Sequence, residues 1–400
     1  MSALLEGTRV LDFSTLLPGP FATMVLADLG AEVLRIESPT RIDLARLAPP
    51  CVDNAQQISC MHAMLSRNKK SLAVDLKQPE GVALIERLIA EKGYDIIVEQ
   101  FRPGVMERLG LSYERLSDID EGLIYCSITG YGQDGPNRDR AGHDINYLSV
   151  SGVMGYSRAQ KSGPSVMDIQ VADIGSGSSN AVIGILAALI HRMKTGQGQH
   201  IDVSMTDGMF PYHVVSGLGA LLEAAEPCQG RESGALNGES LYGFYETSDG
   251  EYLSFGGLEP KFLTEFLTAL GLGQYLDRML EPGIAGEIRD RVAQVIRSRP
   301  RDHWVEVFRD KDACVEPVLS VSESFSSEHA AARGLVVEVP GPYGRPVRQV
   351  AHPIRFSGYT PCYRWTGPCL GQHTTEVLTS LGMTAREIDD LKSRGVVAGT

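Results

Sequence analysis

Two polar residues beside glycine-rich stretches could carry proton chemistry in this 400-residue chain. His143 lies in a Gly-His-Asp-Ile-Asn-Tyr motif at 142–147, and a histidine, with an unperturbed pKa of about 6.5, can both donate and accept protons near neutral pH. Asp173 stands just before the turn Gly175-Ser176-Gly177, a predicted helix start whose unpaired amides could bind an oxyanion or a phosphate. Both residues also allow structural interpretations, since loop histidines often only form hydrogen bonds and acids near helix starts often only cap them.

Other catalytic signatures are absent from the sequence. The stretch 175–180 lacks the Gly-x-Ser-x-Gly spacing of a nucleophilic serine, and it matches the dinucleotide-binding fingerprint weakly because its sixth position is Asn180. No P-loop and no His-Glu-x-x-His zinc motif occurs. The seven cysteines, scattered from Cys51 to Cys369 without a Cys-x-x-Cys pair, are typical of free thiols. We therefore expect neither a metal site nor a tightly bound cofactor.

The charge and hydropathy of the chain exclude several kinds of partner. A net charge of −13 argues against nucleic acid or an anionic membrane as the general partner. The longest apolar run, 181–190, is shorter than the roughly 18 to 20 residues of a membrane span. With no recognisable targeting segment, a cytoplasmic location is the default expectation. The basic run Arg67-Asn68-Lys69-Lys70 is either a solvated loop or a local anion contact.

Strands and helices alternate through the first half of the sequence, a pattern typical of a parallel sheet with helices on its faces. Loops that follow the strands of such sheets commonly hold the ligand, and the 142–147 motif follows one of them. The predicted strands are 8–14, 32–37, 71–76, 95–99, 122–128 and 200–204. The predicted helices are 20–29, 79–92, short pieces within 105–118, a long apolar helix from 175–177 to about 194, and one near 207–222.

The composition changes after this region. Residues 224–238 are rich in Glu, Gly, Pro and Ala, which predicts a linker. Residues 242–255 read as a hairpin around Ser248-Asp249-Gly250, followed by helices at 260–270 and 301–310 that complete a smaller α+β unit ending near 327. The last stretch combines an extended segment at 347–356 with helices at 374–381 and 384–394.

Four stretches share one order and spacing over most of the chain: 18–21 with 27–37, 102–110, 142–147 and 171–178. Together with the tail 370–374, they resemble the class III CoA-transferase (CaiB/BaiF) superfamily, and within it the α-methylacyl-CoA racemase branch. The resemblance implies an interlaced, ring-like homodimer of α/β chains. Each chain would have a large Rossmann-like CoA-binding domain at 1–222, a linker at 223–240, a small α+β domain at 241–327, and a linker with C-terminal helices at 328–400 returning to the large domain.

The resemblance also implies the chemistry. In the racemase branch, His143 and Asp173 would stand on opposite faces of the α-carbon of an acyl-CoA thioester, and Glu259 would support the histidine. In the transferases the aspartate instead attacks the thioester to form a mixed anhydride, and the Gly-His-Asp-Ile-Asn-Tyr motif is generally lacking. We therefore favour a racemase. A CoA transferase is the alternative, which Gly256-Gly257 favours, and a binding protein that has lost its chemistry is a third hypothesis.

Coenzyme A would enter this site as part of the substrate. The basic run 67–70 is a further candidate for its phosphates, because guanidinium and ammonium groups bind phosphate through charge-assisted hydrogen bonds. The residues that the resemblance places around the nucleotide and the pantetheine arm are Arg35, Val74, Asp75, Leu76, Lys77, Gln100, Phe101, Arg102, Arg108, Gly142, Asp144, Ile145, Asn146 and Tyr147.

Overall fold

The computed structural model describes residues 2–156, 163–215, 217–221, 236, 240–279, 281 and 283–400. Within it the chain forms two compact units. The first unit comprises Met1–Ser151, Met167–Phe210 and His329–Thr400, and the second comprises Gly152–Val166 and Pro211–Glu328. The C-terminal segment thus belongs with the first unit, whereas most of the linker predicted at 223–240 lies outside the described residues.

The described residues contain fourteen strands and fifteen α-helices. The strands are β1 Arg9–Asp12, β2 Glu32–Glu37, β3 Cys51–Asp53, β4 Ile58–Ser59, β5 Lys69–Val74, β6 Ile96–Glu99, β7 Ile124–Thr129, β8 Gln199–Ser204, β9 Gly243–Glu246, β10 Tyr252–Phe255, β11 Val315–Pro317, β12 Val336–Pro340, β13 Pro346–Val350 and β14 Val397–Ala398. The helices are α1 Pro18–Asp28, α2 Cys60–Leu65, α3 Pro79–Lys92, α4 Val105–Arg108, α5 Tyr113–Ser117, α6 Asp144–Val150, α7 Val153–Tyr156, α8 Ser179–Thr195, α9 Pro260–Ala269, α10 Ile284–Ile296, α11 Arg301–Phe308, α12 Val321–Ser326, α13 Glu328–Arg333, α14 Thr374–Ser380 and α15 Ala385–Ser393.

A seven-stranded sheet organises the first unit, in the order β14-β5-β2-β1-β6-β7-β8. All its strand pairs are parallel except the one between β14 and β5 at the edge. This confirms the predicted α/β class. From β1 the chain builds β2 and β5 on one side and then β6, β7 and β8 on the other, so the topological switch lies between β1 and β6. In such sheets ligands bind in the crevice at the carboxyl ends of the strands beside the switch.

Helix α3 shows how local sequence produces these elements. Pro79 occupies its first position, where the missing N–H costs nothing, and Gly93 ends it in the left-handed conformation at φ 64°. Its apolar residues recur at helical spacing, and the buried ones, among them Val82, Ile85 and Leu88, join the core with side chains of β2 and β5. The helix has the predicted bounds because every local signal agrees with its packing.

One predicted helix takes a different form. Instead of a single helix near 207–222, the chain forms short 3₁₀ turns at Asp207–Val214 and Leu218–Leu221. Pro211 lies inside the first turn, and because proline has no N–H and clashes with the preceding turn, an α-helix cannot continue through it.

The second unit is built on the antiparallel sheet β11-β10-β9. Tyr252 pairs with Glu246 and Phe255 with Gly243, so the hairpin closes around 248–250 as the sequence predicts. Its core includes side chains from α9, α10 and α11, with Phe255 stacked on Phe266 at 3.8 Å between ring centroids. Helix α10 had no counterpart in the sequence-based prediction.

One helical stretch in the described residues, Ala172–Thr195, is long and apolar enough to cross a membrane by length and composition alone. About a third of its apolar window is buried within the chain. Near its end Arg192 forms an ion pair with Asp95 at 3.0 Å, as in helices packed on a protein core. The expectation that the chain has no membrane span remains a prediction.

Candidate active site

The site begins at the switch point of the sheet, where α1 starts close to the carboxyl end of β6. The N–H of Gly19 donates to Oε1 of Gln100 at 2.8 Å, which ties the two segments together. Gly19 is required here because a Cβ at this position would lie 2.2 Å from Cβ of Ser14 and 2.9 Å from Oε1 of Gln100. The predicted CoA residue Gln100 therefore lies at the crevice where an α/β sheet binds its ligand.

Asp173 lies in a π-helical segment, Ala172–Ser178, that leads into α8. Its own N–H donates to Oδ1 of Asp144 at 2.9 Å. The hydroxyl of Ser178 donates to the Asp173 carbonyl at 3.1 Å and to the Pro18 carbonyl at 2.7 Å, which joins the segment to α1. Such wide turns occur often at functional sites because they redirect a side chain that a regular helix would place elsewhere.

The predicted helix start at Gly175-Ser176-Gly177 is therefore wrong. The helical segment begins three residues earlier, at Ala172, and the amide of Ile174 already donates to the Gln170 carbonyl at 3.2 Å. The glycine at 177 serves packing instead, since a Cβ there would lie 2.9 Å from Cγ of Met205. Amides of this turn are consequently not the free donors that the sequence suggested.

His143 is the exposed residue that immediately precedes α6. Its N–H donates to Oδ1 of Asn146 at 3.0 Å, and the Asn146 N–H donates to the His143 carbonyl at 2.8 Å. This reciprocal pairing fixes the start of α6. The predicted motif thus presents its histidine at the surface of the site.

Tyr147 holds the glycine-rich loops in place. Its hydroxyl donates to the Gly142 carbonyl at 2.6 Å, and its ring meets Tyr131 edge to face at 5.3 Å. A Cβ at Gly142 or Gly130 would lie 2.6 or 2.5 Å from Cε1 of Tyr147. Both glycines are therefore needed for the close approach of these loops.

The charges of the site act on one another. The pKa of Asp173 is raised to about 6, mainly by burial and then by the neighbouring Asp144 carboxylate, while His143 acts in the opposite direction. Burial likewise raises the pKa of Tyr147, to which the Asp173 carboxylate contributes and which Arg102 opposes. His143, Asp144 and Asp173 thus act on one another as one electrostatic cluster.

The structure does not support the Arg35 side chain as a contact of the nucleotide or the pantetheine arm, where the resemblance places this residue. Its side chain is 1% exposed, ion-paired with Asp43 and with Glu37, and its Nη1 donates to Oγ of Ser66 at 2.7 Å. A guanidinium that is already paired and removed from solvent cannot also bind a phosphate of the substrate. Arg35 is a structural residue of the first unit.

The basic run at 67–70 is mostly structural as well, which corrects its interpretation as a phosphate contact. Arg67 and Lys69 are fully buried. Nε of Arg67 lies 3.0 Å from Oδ1 of Asp28, and Nζ of Lys69 lies 3.0 Å from Oδ2 of Asp12. Of the run's three cations, Lys70 alone reaches the surface, partly exposed at 28%.

The predicted stretch Val74 to Lys77 divides between core and surface. Val74 is buried among the core residues of the sheet, so its side chain cannot contact the ligand. Asp75 and Leu76 are half-buried and Lys77 is exposed. Oδ1 of Asp75 accepts the N–H of Lys77 at 3.1 Å, which fixes the turn at the end of β5.

Arg102 and Arg108 are the predicted CoA-binding cations that remain available. Both are exposed, just past the end of β6, and neither has an ion-pair partner within the described ranges. Phe101 and Gly142 are half-buried, whereas Ile145 is exposed on α6. Arg35 and Arg67, in contrast, are buried. Exposure therefore distinguishes the cations that could bind CoA from those that stabilise the fold.

Replacing Arg108 by alanine is expected to raise the KM for an acyl-CoA about 10- to 100-fold with little change in kcat, because a charge-assisted hydrogen bond contributes roughly 1.5–3 kcal/mol. Steady-state kinetics at fixed ionic strength would measure this effect. Arg309→Ala is the matched control, since Arg309 is an exposed cation of the second unit paired with Glu306. An unchanged KM would remove Arg108 from the binding site.

Glu259 lies in the second unit, directly before α9, and is exposed. Its Oε2 accepts the N–H of Leu258 at 3.3 Å. Its support of His143 stays a prediction. Within the part of the chain that the structure describes, no group of three His, Cys, Asp or Glu side chains could hold a metal ion.

Asp144 has a second role that the sequence does not predict. Besides its expected place in CoA binding, its carboxylate accepts the Asp173 amide and raises the pKa of Asp173. The only signal was its position next to His143, and nothing local indicates that its side chain meets a residue so far along the chain.

Comparisons with known proteins find relatives over nearly the whole chain. Residues 5–374 match the description of CoA-transferase family III. The chain is 34% identical to an alpha-methylacyl-CoA racemase of Mus musculus, over 98% of this chain and 97% of that protein. It is 31% identical to a succinyl-CoA:glutarate CoA-transferase of Homo sapiens, over 98% and 90%. A crystal structure of a CAIB/BAIF family protein from Brucella suis superposes with a TM-score of 0.82 at 28% identity, covering 95% and 100% of the two chains.

Proposed function

The chain belongs to CoA-transferase family III, and within that family we propose that it is a racemase or epimerase of 2-methylacyl-CoA thioesters. The observation that carries this proposal is the placement of His143 and Asp173 in one electrostatic cluster on two different elements, the start of α6 and the π-helical segment. A relative named as an alpha-methylacyl-CoA racemase adds support.

The proposed reaction moves one proton off the α-carbon and another one onto it. In one direction the Asp173 carboxylate removes the α-proton, leaving an enolate, and protonated His143 supplies a proton to the opposite face, which inverts the centre. In the other direction the two residues exchange roles. A pKa of about 6 suits Asp173 to both roles, because a group that titrates near neutral pH can be populated in either form.

The enolate oxygen requires prearranged donors. The first-turn amides of α6, at Asp144 and Ile145, lack intrahelical acceptors because they open the helix. They follow His143 directly, so we assign them to the thioester oxygen. This replaces the donors that the sequence analysis placed at 175–177.

CoA transfer through a mixed anhydride of Asp173 is the second candidate. The similarity to a succinyl-CoA:glutarate CoA-transferase over nearly the whole chain favours it. This reaction uses Asp173 as a nucleophile, which requires the carboxylate form, and it gives His143 no proton to transfer.

Deuterium incorporation separates the two candidates. A single enantiomer of a 2-methylacyl-CoA is incubated with the enzyme in D₂O without any acceptor acid, and α-deuterium and chirality are followed by mass spectrometry and chiral chromatography. The racemase incorporates one deuterium per inversion. Absence of α-deuterium across a panel of branched, bile-acid-like and arylpropionyl thioesters, together with capture of an enzyme-bound acyl group by hydroxylamine, would replace the proposal with CoA transfer.

Replacing Asp144 by asparagine is expected to shift the acidic limb of the pH profile of kcat/KM to lower pH. The amide oxygen still accepts the Asp173 N–H, but the negative charge that raises the pKa of Asp173 is gone. In the direction where Asp173 is the base, wild-type kcat/KM is lost as the pH falls through about 6, and the variant loses it at lower pH. Asp139→Asn, an exposed acid of the preceding loop, is the control, and an unmoved limb would contradict the assignment.

We also propose that the chain is a homodimer. Apolar side chains on the outer face of α8 are strongly exposed, with Ile183 at 63%, Ile190 at 55% and Met193 at 85%. Contiguous exposed apolar surface of this kind marks interaction sites. Analytical ultracentrifugation would test the dimer directly.

A further inference from the structure

A buried carboxyl group directly precedes the predicted CoA residues and has no part in the proton transfer proposed above. Glu99 is the last residue of β6 and is 5% exposed. Its Oε2 accepts the N–H of Phe101 at 2.8 Å. Residues 100–102 form the β6 loop, and this side chain thus holds the main-chain amide of the middle residue of that loop.

A second donor reaches Glu99 from the neighbouring strand. Ser127 lies opposite Glu99 in the parallel register of β6 and β7, and its hydroxyl hydrogen bonds to the Glu99 carboxyl. Oγ of Ser127 also lies 3.0 Å from Nε2 of His200. Ser127 is buried, whereas His200 is exposed on β8. The three side chains form one hydrogen-bonded row across three strands, from the surface to the β6 loop.

The β6 loop connects this row to the candidate active site. Oε1 of Gln100 accepts the N–H of Gly19 at the start of α1. Arg102 is exposed, and its positive charge acts on the Tyr147 phenol, on which the Asp173 carboxylate also acts. A change in the main chain at Phe101 would therefore displace both a contact of α1 and a candidate phosphate ligand.

The environment of Glu99 disfavours the charged carboxylate form of its side chain. The pKa of Glu99 is raised to about 7, because burial and, to a smaller extent, the Asp202 carboxylate outweigh the lowering by the hydrogen bonds from Ser127 and Phe101. Within the described residues no cation forms an ion pair with Glu99. An apolar residue at this position would serve the core better, since an unpaired buried acid destabilises a fold. The hydrogen bonds that Glu99 accepts offset this destabilisation.

We infer that Glu99 is a positioning residue of the acyl-CoA site, which holds the Phe101 amide so that Gln100 and Arg102 keep the geometry in which they meet the ligand. The inference rests on the proposed binding of CoA thioesters and is independent of the choice between racemase and transferase. Glu99 acts through the β6 loop and does not touch the reacting atoms.

Calorimetric titration with CoA itself tests the inference without turnover. Glu99→Ala is expected to weaken CoA binding about 10-fold, which corresponds to about 1.4 kcal/mol. Glu99→Gln keeps an acceptor oxygen for the Phe101 amide and should stay within about 3-fold of wild type. Glu107→Ala, which removes an exposed acid of α4 in the same segment, is the matched control and should bind as wild type does.

The pH dependence adds a readout that a merely structural role would not move. A carboxylate accepts the Phe101 N–H more strongly than a carboxylic acid does, so wild-type CoA affinity should fall as the pH drops through about 7. Glu99→Gln should flatten this dependence. The other titratable groups facing Glu99 are Tyr125 and Cys126 on β7 and Asp202 on β8, with His200 reached through Ser127, and all are unchanged in the variant.

The possible outcomes test the proposed function and the role of Glu99 separately. A wild-type protein that binds no CoA overturns the proposed function. A wild-type protein that binds CoA, with Glu99→Ala binding equally well, overturns only the role of Glu99. If Glu99→Ala does not fold, the Glu99→Gln profile decides, because a profile identical to wild type refutes the inference.

Discussion

Replacing His143 by alanine is expected to abolish inversion of a 2-methylacyl-CoA, with a loss of about 10²–10⁴-fold in racemisation. The variant keeps Asp173, which can still remove the α-proton from the enantiomer that presents it and return a solvent deuteron to the same face. α-Deuterium exchange without inversion should therefore persist for one enantiomer and disappear for the other. Chiral chromatography coupled to mass spectrometry measures both quantities in one sample.

Asp173→Asn should give the mirror pattern. The asparagine cannot take up a proton, so exchange should persist only for the enantiomer that presents its proton to His143. His191→Ala is the matched control, because His191 is an exposed histidine of α8. The crossed pattern is diagnostic of two bases on opposite faces. Two variants that retain exchange of the same enantiomer would contradict the two-base mechanism.

His143→Ala and Asp173→Asn also test the alternative function, CoA transfer. A CoA transferase loses all activity in Asp173→Asn because the nucleophile is gone, and it keeps CoA transfer to a free acid in His143→Ala. The two mechanisms therefore predict opposite effects for one substitution at His143. No knowledge of the natural acyl group is needed for this comparison, provided that one thioester is bound.

Elements whose local signals agree could be predicted closely from the sequence. Strand β2 and helix α3 have the predicted bounds, because apolar spacing and end residues there agree with the packing. The pairing of His143 with Asp173 came from the resemblance and not from local pattern. Its geometry depends on the sheet, which brings the loop after β7 and the segment before α8 to one end.

The partners of the buried charged residues could not be predicted from the sequence. A basic side chain carries no local signal of its partner, and Arg35, Arg67 and Lys69 find theirs in carboxylates elsewhere in the chain. Burial without a partner would be prohibitive for each of them. Arg67 and Lys69 of the basic run thus form internal ion pairs in the folded protein. Arg102 in the β6 loop and Arg108 in α4 remain exposed.

These internal pairs join segments that are distant in sequence. Arg67 contacts Asp28 at the end of α1, and its Nη1 donates to the Val350 carbonyl in β13 at 2.6 Å. The hydroxyl of Tyr359 donates to the Asp28 carbonyl at 2.7 Å. The position of α1, whose first turn borders the candidate active site, therefore depends on a guanidinium that no ligand reaches.

Replacing Arg67 by alanine is expected to destabilise the protein by about 3–5 kcal/mol, because removal of one partner leaves the buried Asp28 carboxylate uncompensated. Urea unfolding at pH 8 measures this loss. Lys70→Ala is the matched control from the same basic run, and since Lys70 is partly exposed and pairs with Glu376 at 2.8 Å, its loss should cost at most about 1 kcal/mol. CoA affinity of the folded fraction should be similar in both variants. A phosphate-binding Arg67 would give the reverse result, with stability unchanged and CoA affinity lowered at least 10-fold, because the lost contact would then be with the ligand and not with Asp28.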